Sequence, residues 1–510
     1  MPIIKRLPIL LCFCAFFPPC LLLAQTPSFI KDSLDKYVNL GLKDWDLPGL
    51  AIVIVKDGKV VVMKGYGYRD IDKKTKVDEN TLFMIASNTK LFTGTVLAKL
   101  DYEKKISLND KITNYFPDYK LFLPSTTELV TIRDLLSHRI GTKTFQGDFT
   151  FWNSSLSRTE IMQRMRLLKP INPFRQDYGY CNSCFLTAGE VVPKVTGIQW
   201  EQYVQDSILS LLKMTHSTTI SHGMESKQNV AVPYTDNYVD KISRVPYDEW
   251  DNLGPAASII SNVNDLSHWL VFQLDSGRYN GKQILPWAIL QQTRDVNIIT
   301  NSRKSSLLPI HFRGYGLGVV SADYNGRQIF YHTGGAGGMV SNVCFVPEER
   351  LGIAILTNND NQSFFEALRY QVLDAYLKVP WINRSKQFLA SAMADRKQQL
   401  QEIAHWKERL KALPKSPLPL ADYTGEYANE LYGTMTMTQK DNHLVARFNS
   451  HKDLVANLNY LGNDEWLLQY ENVLYGVFAI KFSTNNGKVN SVEIKANDFV
   501  EYDPYTFTKK

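Results

Sequence analysis

The chain predicts an α/β (α+β) protein, with one antiparallel sheet flanked by helices and a small β-barrel at its C-terminal end. Three observations predict it. Strand-like runs occur at 50–63 and again at 315–356, with helical and loop-like sequence between, so both halves of the chain close one sheet. A charged helical stretch follows them. Beyond it, residues 415–510 read as short alternating strands cut by turns.

Taken in order, residues 1–24 differ from the rest. Lys5 and Arg6 precede an uncharged apolar run, Leu7 to Leu23, that ends at Ala24. A basic start, an apolar core and a small final residue predict a secretory signal peptide. Pro18 and Pro19, and a run short of the ~20 residues a membrane span needs, argue against an anchor. The expected location is therefore exported, periplasmic or secreted, with no stable membrane span after signal removal. Leu50–Val55 and Lys59–Met63 are apolar, β-branched runs joined by Asp57-Gly58, a hairpin signal. A helix is expected from Ser87, where Phe92, Val96 and Leu100 share one face. Tyr315–Val320 and Gln328–His332 flank Asn325-Gly326, a second hairpin cue, and Val340–Val346 and Leu351–Leu356 extend the set. The expected units are a signal at 1–24, a catalytic domain at 25–383, a helical linker at 384–414 and a barrel at 415–510. In the last, Gly433-Thr-Met-Thr-Met-Thr438 alternates almost perfectly, and Trp466, Tyr470 and Tyr475 are expected in its core.

Composition narrows the function. The 510 residues are 44% hydrophobic and 21% charged, an ordinary globular balance. The net charge is +6, of which Lys5 and Arg6 supply two, and no Lys/Arg run resembles a nucleic-acid footprint. Cys181, Cys184 and Cys344 remain outside the signal, an odd number that excludes a disulfide scaffold. Cys181 and Cys184 read as a strained local disulfide or two buried thiols, since two ligands do not make a metal site. No metal or other cofactor is expected, and no phosphate loop or metal-ligand pair occurs.

Three segments carry chemistry. Ser87 and Lys90, three apart, share a helix face, so the amine can reach the hydroxyl. A lysine shielded from water loses basicity and can serve as the base a serine nucleophile needs. The same spacing recurs at Ser28/Lys31, Ser33/Lys36 and Ser210/Lys213; only Ser87 opens a helix behind an apolar approach. Tyr180-Cys181-Asn182 offers a phenol to relay protons and an amide to hold a carbonyl. In His332-Thr333-Gly334-Gly335, glycines let a substrate approach the backbone. The Gly335 and Ser87 N–H groups could then form an oxyanion hole. His138, at an apolar helix end, is expected to be structural.

In this order, the three segments resemble the serine β-lactamase and penicillin-binding protein superfamily, most nearly its class C β-lactamase-related branch. Thr131-Ile-Arg-Asp-Leu-Leu-Ser-His138-Arg-Ile-Gly141, Gly254-Pro255-Ala-Ala-Ser258 with Asn264-Asp265-Leu266, and Tyr315-Gly-Leu-Gly318 are similar to further marks of that branch. The resemblance covers residues 28–380. It implies an all-helical insertion beside the sheet and an acyl-enzyme on Ser87, with Lys90 and Tyr180 sharing the proton work. The tail from Asp422 resembles a lipocalin-like barrel. Two positions depart from the pattern: His332 stands where many members carry lysine, and Cys181 where serine is common. The histidine disfavours β-lactams and other carboxylate-bearing substrates and favours esters, or amides such as D-amino-acid peptides. A small-molecule or peptide substrate is expected. A penicillin sensor with little turnover, or a β-lactamase or D,D-peptidase, is the alternative.

Overall fold

The computed structural model of the protein describes residues 26–510, so the expected export signal at 1–24, with Cys12, Cys14 and Cys20, lies outside the described residues. Two strands open the fold, β1 (Gly49–Lys56) and β2 (Lys59–Asp70). The turn between them sets Asp57 at φ 53° and Gly58 at φ 76°, the left-handed pair that matches the strands' twist. A short β3 (Thr75–Lys76) follows. After the helical region come β4 (Ile298–Asn301), β5 (Arg313–Tyr315), β6 (Val320–Tyr324), β7 (Arg327–Ala336), β8 (Met339–Val346) and β9 (Leu351–Thr357). They form one antiparallel sheet in the order β4-β5-β6-β7-β8-β9-β1-β2-β3. β1 pairs with β9 from Leu50↔Thr357 to Lys56↔Leu351, so both chain halves close the sheet.

The apolar run of β1 is continuous because both faces of the sheet are covered. Ala51, Val53 and Val55 join one core; Leu50, Ile52 and Ile54 join a second. The second core lies under α1 (Leu34–Asp44). The first lies under α2 (Thr89–Tyr102), followed by α3 (Asp148–Phe151), α4 (Asn182–Gly189) and α5 (Val263–Leu274). Phe92 of α2 stacks on Trp269 of α5 with ring centroids 4.2 Å apart. Between β3 and β4 the chain is helix and loop apart from three two-residue strand pairs. The second core is completed by α6 (Phe364–Tyr376).

A 28-residue helix, α7 (Arg384–Lys411), then leads to the tail. Arg384 at its start binds Asp374 of α6 at 2.6 Å, and near its end Arg409 binds Glu465 at 2.7 Å. Trp406 and Leu410 pack on Leu461, Leu467 and Val477. The tail is a closed barrel of eight strands in sequence order: β10 (Gly425–Asn429), β11 (Gly433–Lys440), β12 (His443–Phe448), β13 (Val455–Gly462), β14 (Glu465–Tyr470), β15 (Val477–Asn485), β16 (Lys488–Ile494) and β17 (Tyr505–Lys509). β10 pairs with β17 at Tyr427↔Lys509, which removes both sheet edges. Trp466, Tyr470 and Tyr475 are buried. Among the described residues no helix is long and apolar enough to cross a membrane.

Candidate active site

Ser87 sits in a tight turn, Ala86–Asn88, that runs directly into α2. Ala86, the residue before it, is fully buried at φ 48°, a left-handed backbone that costs a residue with a side chain about 1–2 kcal/mol. The neighbours hold it there. The Ser341 hydroxyl donates to the Ile85 carbonyl at 2.6 Å and accepts from the Asn88 amide at 2.8 Å. Gly334 presses on the same turn, and a Cβ there would lie 2.0 Å from the Ile85 carbonyl oxygen. The glycine thus serves the approach of the Ser87 turn to β7, where the sequence suggested an approach by substrate.

Lys90 is fully buried one helical turn on. Its Nζ lies 3.1 Å from Ser87 Oγ, 2.7 Å from Asn182 Oδ1 and 2.9 Å from the Ala256 carbonyl oxygen. That carbonyl belongs to the Gly254–Ser258 segment, which gives the segment a task. Among the described residues no carboxylate forms an ion pair with this amine, so burial lowers its pKa from 10.5 to about 7, against a smaller opposing pull from Asp148. A neutral amine has two N–H bonds and one lone pair. The two N–H bonds fit Asn182 and Ala256, which leaves the lone pair for the Ser87 hydroxyl.

Asn182 opens α4 and donates through Nδ2 to Asp148 Oδ2 at 2.6 Å. Asp148 is itself buried, and burial raises its pKa well above the carboxylate range. It fixes which way the Asn182 amide faces, and so which atom Lys90 meets. Sequence reasoning missed it, because nothing around Gly147–Trp152 marks an aspartate as more than a helix start. We expect Asp148→Ala to lower kcat on the order of 10²-fold by loosening Asn182. Asp148→Asn should keep most activity, since its amide oxygen can accept the same bond. Equal losses in both variants, measured as kcat on one ester, would rule out this positioning role.

The Tyr180 ring lies under Lys90, with Nζ 4.7 Å from its centroid. Burial pushes the Tyr180 hydroxyl well above the usual phenol value, partly countered by hydrogen bonding to Ser87. The phenol is therefore protonated at neutral pH, and the amine is the better base. His138 is buried against the Tyr180 ring. Its Nδ1 accepts from the Cys181 N–H at 3.0 Å, its carbonyl accepts from the Gly179 N–H at 2.9 Å, and its ring lies 4.3 Å from that of Tyr180. The Thr131–Gly141 segment thus cradles the Tyr180–Asn182 turn. Cys181, Cys184 and Cys344 are all buried free thiols, which settles the disulfide alternative.

His332, on β7, is buried and neutral. Its Nδ1 lies 2.7 Å from the Thr333 carbonyl oxygen, which can only accept, so Nδ1 carries the proton. Nε2 then accepts from the Tyr315 hydroxyl at 2.8 Å. Burial, with Lys90 nearby, drops its pKa from 6.5 to about 3. Where the sequence suggested a partly charged histidine, the site holds none. Thr333 Oγ1 meets the Asn342 amide at 3.3 Å. Ser87, Tyr180, Asn182, His332, Thr333 and Gly335 all border one cavity of about 390 Å³, with Phe145, Trp152 and Phe499 among its aromatic walls. Among the described residues no lysine or arginine lines it, while Asp360 does. Among the same residues no group of His, Cys, Asp and Glu is arranged to hold a metal.

The arrangement has parallels in known proteins. A family described as Beta-lactamase matches residues 34–377, and a domain of unknown function, DUF3471, matches 410–509. Protein flp of Staphylococcus aureus (strain N315) is 28% identical over 338 residues, 65% of this chain and 64% of its own length. The chain thus spans just under two thirds of that relative. Unguisins hydrolase ungD of Aspergillus violaceofuscus is 25% identical over 437 residues, 80% of this chain and 76% of its own. The structure of an octameric penicillin-binding protein homologue from Pyrococcus abyssi overlays with a TM-score of 0.60 at 20% identity, covering 93% of this chain and 99% of that one. At that identity the likeness is one of fold.

Proposed function

Because the chain belongs to the beta-lactamase family, we propose that it is an exported serine hydrolase that cleaves an uncharged ester or amide through an acyl-enzyme on Ser87. The placement of Lys90 carries the reading: a buried amine with a pKa of about 7, its lone pair free for the Ser87 hydroxyl. Ser87 Oγ attacks the substrate carbonyl carbon while its proton passes to Lys90 Nζ. The backbone N–H groups of Ser87 and Gly335 hold the oxyanion. The C–O or C–N bond then breaks, and the departing oxygen or nitrogen takes a proton relayed by the Tyr180 hydroxyl. Water, giving a proton to the same amine, then attacks the acyl carbon; the bond to Ser87 Oγ breaks, Lys90 returns the proton to Oγ, and the acid leaves. Neutral His332 and an aromatic cavity that, among the described residues, no lysine or arginine lines both disfavour an anionic substrate. Export rests on the basic and apolar start of residues 1–24. The relative named for hydrolysing unguisins supports a hydrolase.

The test is to treat the purified protein with a fluorophosphonate and with short-chain p-nitrophenyl esters, then map the label by peptide mass. We expect label on Ser87 and many turnovers per chain. One acyl group per chain without turnover would mark a sensor. No label on Ser87 would end the reading.

A further inference from the structure

The barrel reaches into the cleft through the segment between β16 and β17. Asn497 and Glu501 in this segment are buried, and they brace Phe499 from both sides. Asn497 donates to the Leu474 carbonyl at 3.1 Å and accepts from the Phe499 N–H at 3.1 Å. The Glu501 carboxylate accepts from the N–H groups of Gly147 and Phe149 at 2.9 Å each and from the Tyr505 hydroxyl at 2.8 Å. Asp503 pairs with Lys143, and the Tyr502 ring lies 5.6 Å from Phe145. The segment therefore bridges from the β7 side of the cleft to the loop around Phe145.

Phe499 stands at the β7 end of that bridge. β6 pairs with β7 only over Arg327–Tyr331, so among the described residues the edge from His332 to Ala336 has no strand beside it. An unpaired edge is a place where an extended chain can lie. Over the face of the strand at Gly335 the space is taken, since a Cβ there would fall 2.7 Å from the Phe499 ring, and both residues line the cavity that such a chain would enter. The ring is fixed edge-on to Trp152, with centroids 5.6 Å apart at 61°.

We infer that Phe499, supplied by the C-terminal barrel, is a specificity-determining wall that stops a substrate chain running along β7 at Gly335. The inference rests on the hydrolase reading above. It narrows the substrate class to uncharged esters or amides that end within the cavity on that side, and it excludes long polymers threading through. The barrel is then part of the specificity of the site.

The experiment uses the full chain and the variants Phe499→Trp, Phe499→Leu and Phe499→Ala. Each is assayed for kcat/KM on two series of esters, one lengthened in the acyl chain and one in the alcohol. Labelling rates with a small and a bulky fluorophosphonate are measured in parallel. In one series the native protein should prefer the short ester on the order of tenfold or more, and the preference should fall in the order Trp, Phe, Leu, Ala. Phe499→Leu keeps apolar bulk, so it reports even if Phe499→Ala unfolds. A short-to-long ratio that stays constant across the folded variants, in both series and in labelling, overturns the wall while leaving the hydrolase intact. No label and no turnover in the native protein removes the hydrolase reading and the wall with it.

Discussion

Replacing Ser87 with alanine is expected to lower kcat/KM roughly 10⁴-fold or more, because the covalent route is lost and only binding and oxyanion contacts remain. The hydroxyl meets the Lys90 amine at 3.1 Å and hydrogen-bonds with the Tyr180 phenol. Its removal leaves Lys90 its bonds to Asn182 and Ala256, and both Lys90 and Tyr180 border or adjoin the cavity, so the variant should melt within a few degrees of the native protein. Fluorophosphonate labelling should vanish along with turnover. A folded Ser87→Ala protein that keeps most of its activity would mean that another residue carries the chemistry.

Lys90→Met is the second large effect. It keeps the volume of the side chain and removes the base, with an expected loss of about 10²–10⁴-fold in kcat. The native pH profile should show an acidic limb, with activity rising as pH passes about 7, because only the unprotonated amine can take the serine proton. Whatever activity survives in Lys90→Met should lack that limb. Stability carries a second mark of the same group. The folded pKa of about 7 lies below the unfolded 10.5, so the unfolded chain binds more protons between those values. Native stability gains from this lysine as pH rises through that window, and below it the full penalty of roughly 5 kcal/mol, an upper bound, stands. The melting temperature of Lys90→Met relative to native should therefore be more favourable at pH 6 than at pH 9. A difference that does not change with pH would show that the amine is not held uncharged by burial.

The parts of the site legible in the sequence were those written in local spacing. Asp57-Gly58 and Asn325-Gly326 gave hairpins because the two-residue turn itself demands left-handed backbone. Ser87 and Lys90 meet because one helical turn separates them. Ala86 left no trace, since alanine does not favour its left-handed conformation and tertiary contacts impose it. Asp148, Phe499 and Glu501 were equally silent. Glu501 meets Gly147 across 354 positions of sequence, and no periodicity records such a contact. His332 was read as a residue type, but its charge is set by burial and by the Lys90 amine nearby.

The pairing of β1 with β9 bears on how the protein acquires activity. The Ser87 turn follows the first strands of the chain, while β7 is joined to them only through β8 and β9. Leu50 must find Thr357 across an intervening chain of some three hundred residues before the serine and the β7 edge face each other. Contacts of such high sequence separation form late, after their loop-closure entropy has been met. Partly folded chains therefore hold Lys90 on its helix, with Ser87 just before it, but no cleft. In a refolding experiment, recovery of ester turnover should lag the return of helical signal and coincide with the final closure of the sheet.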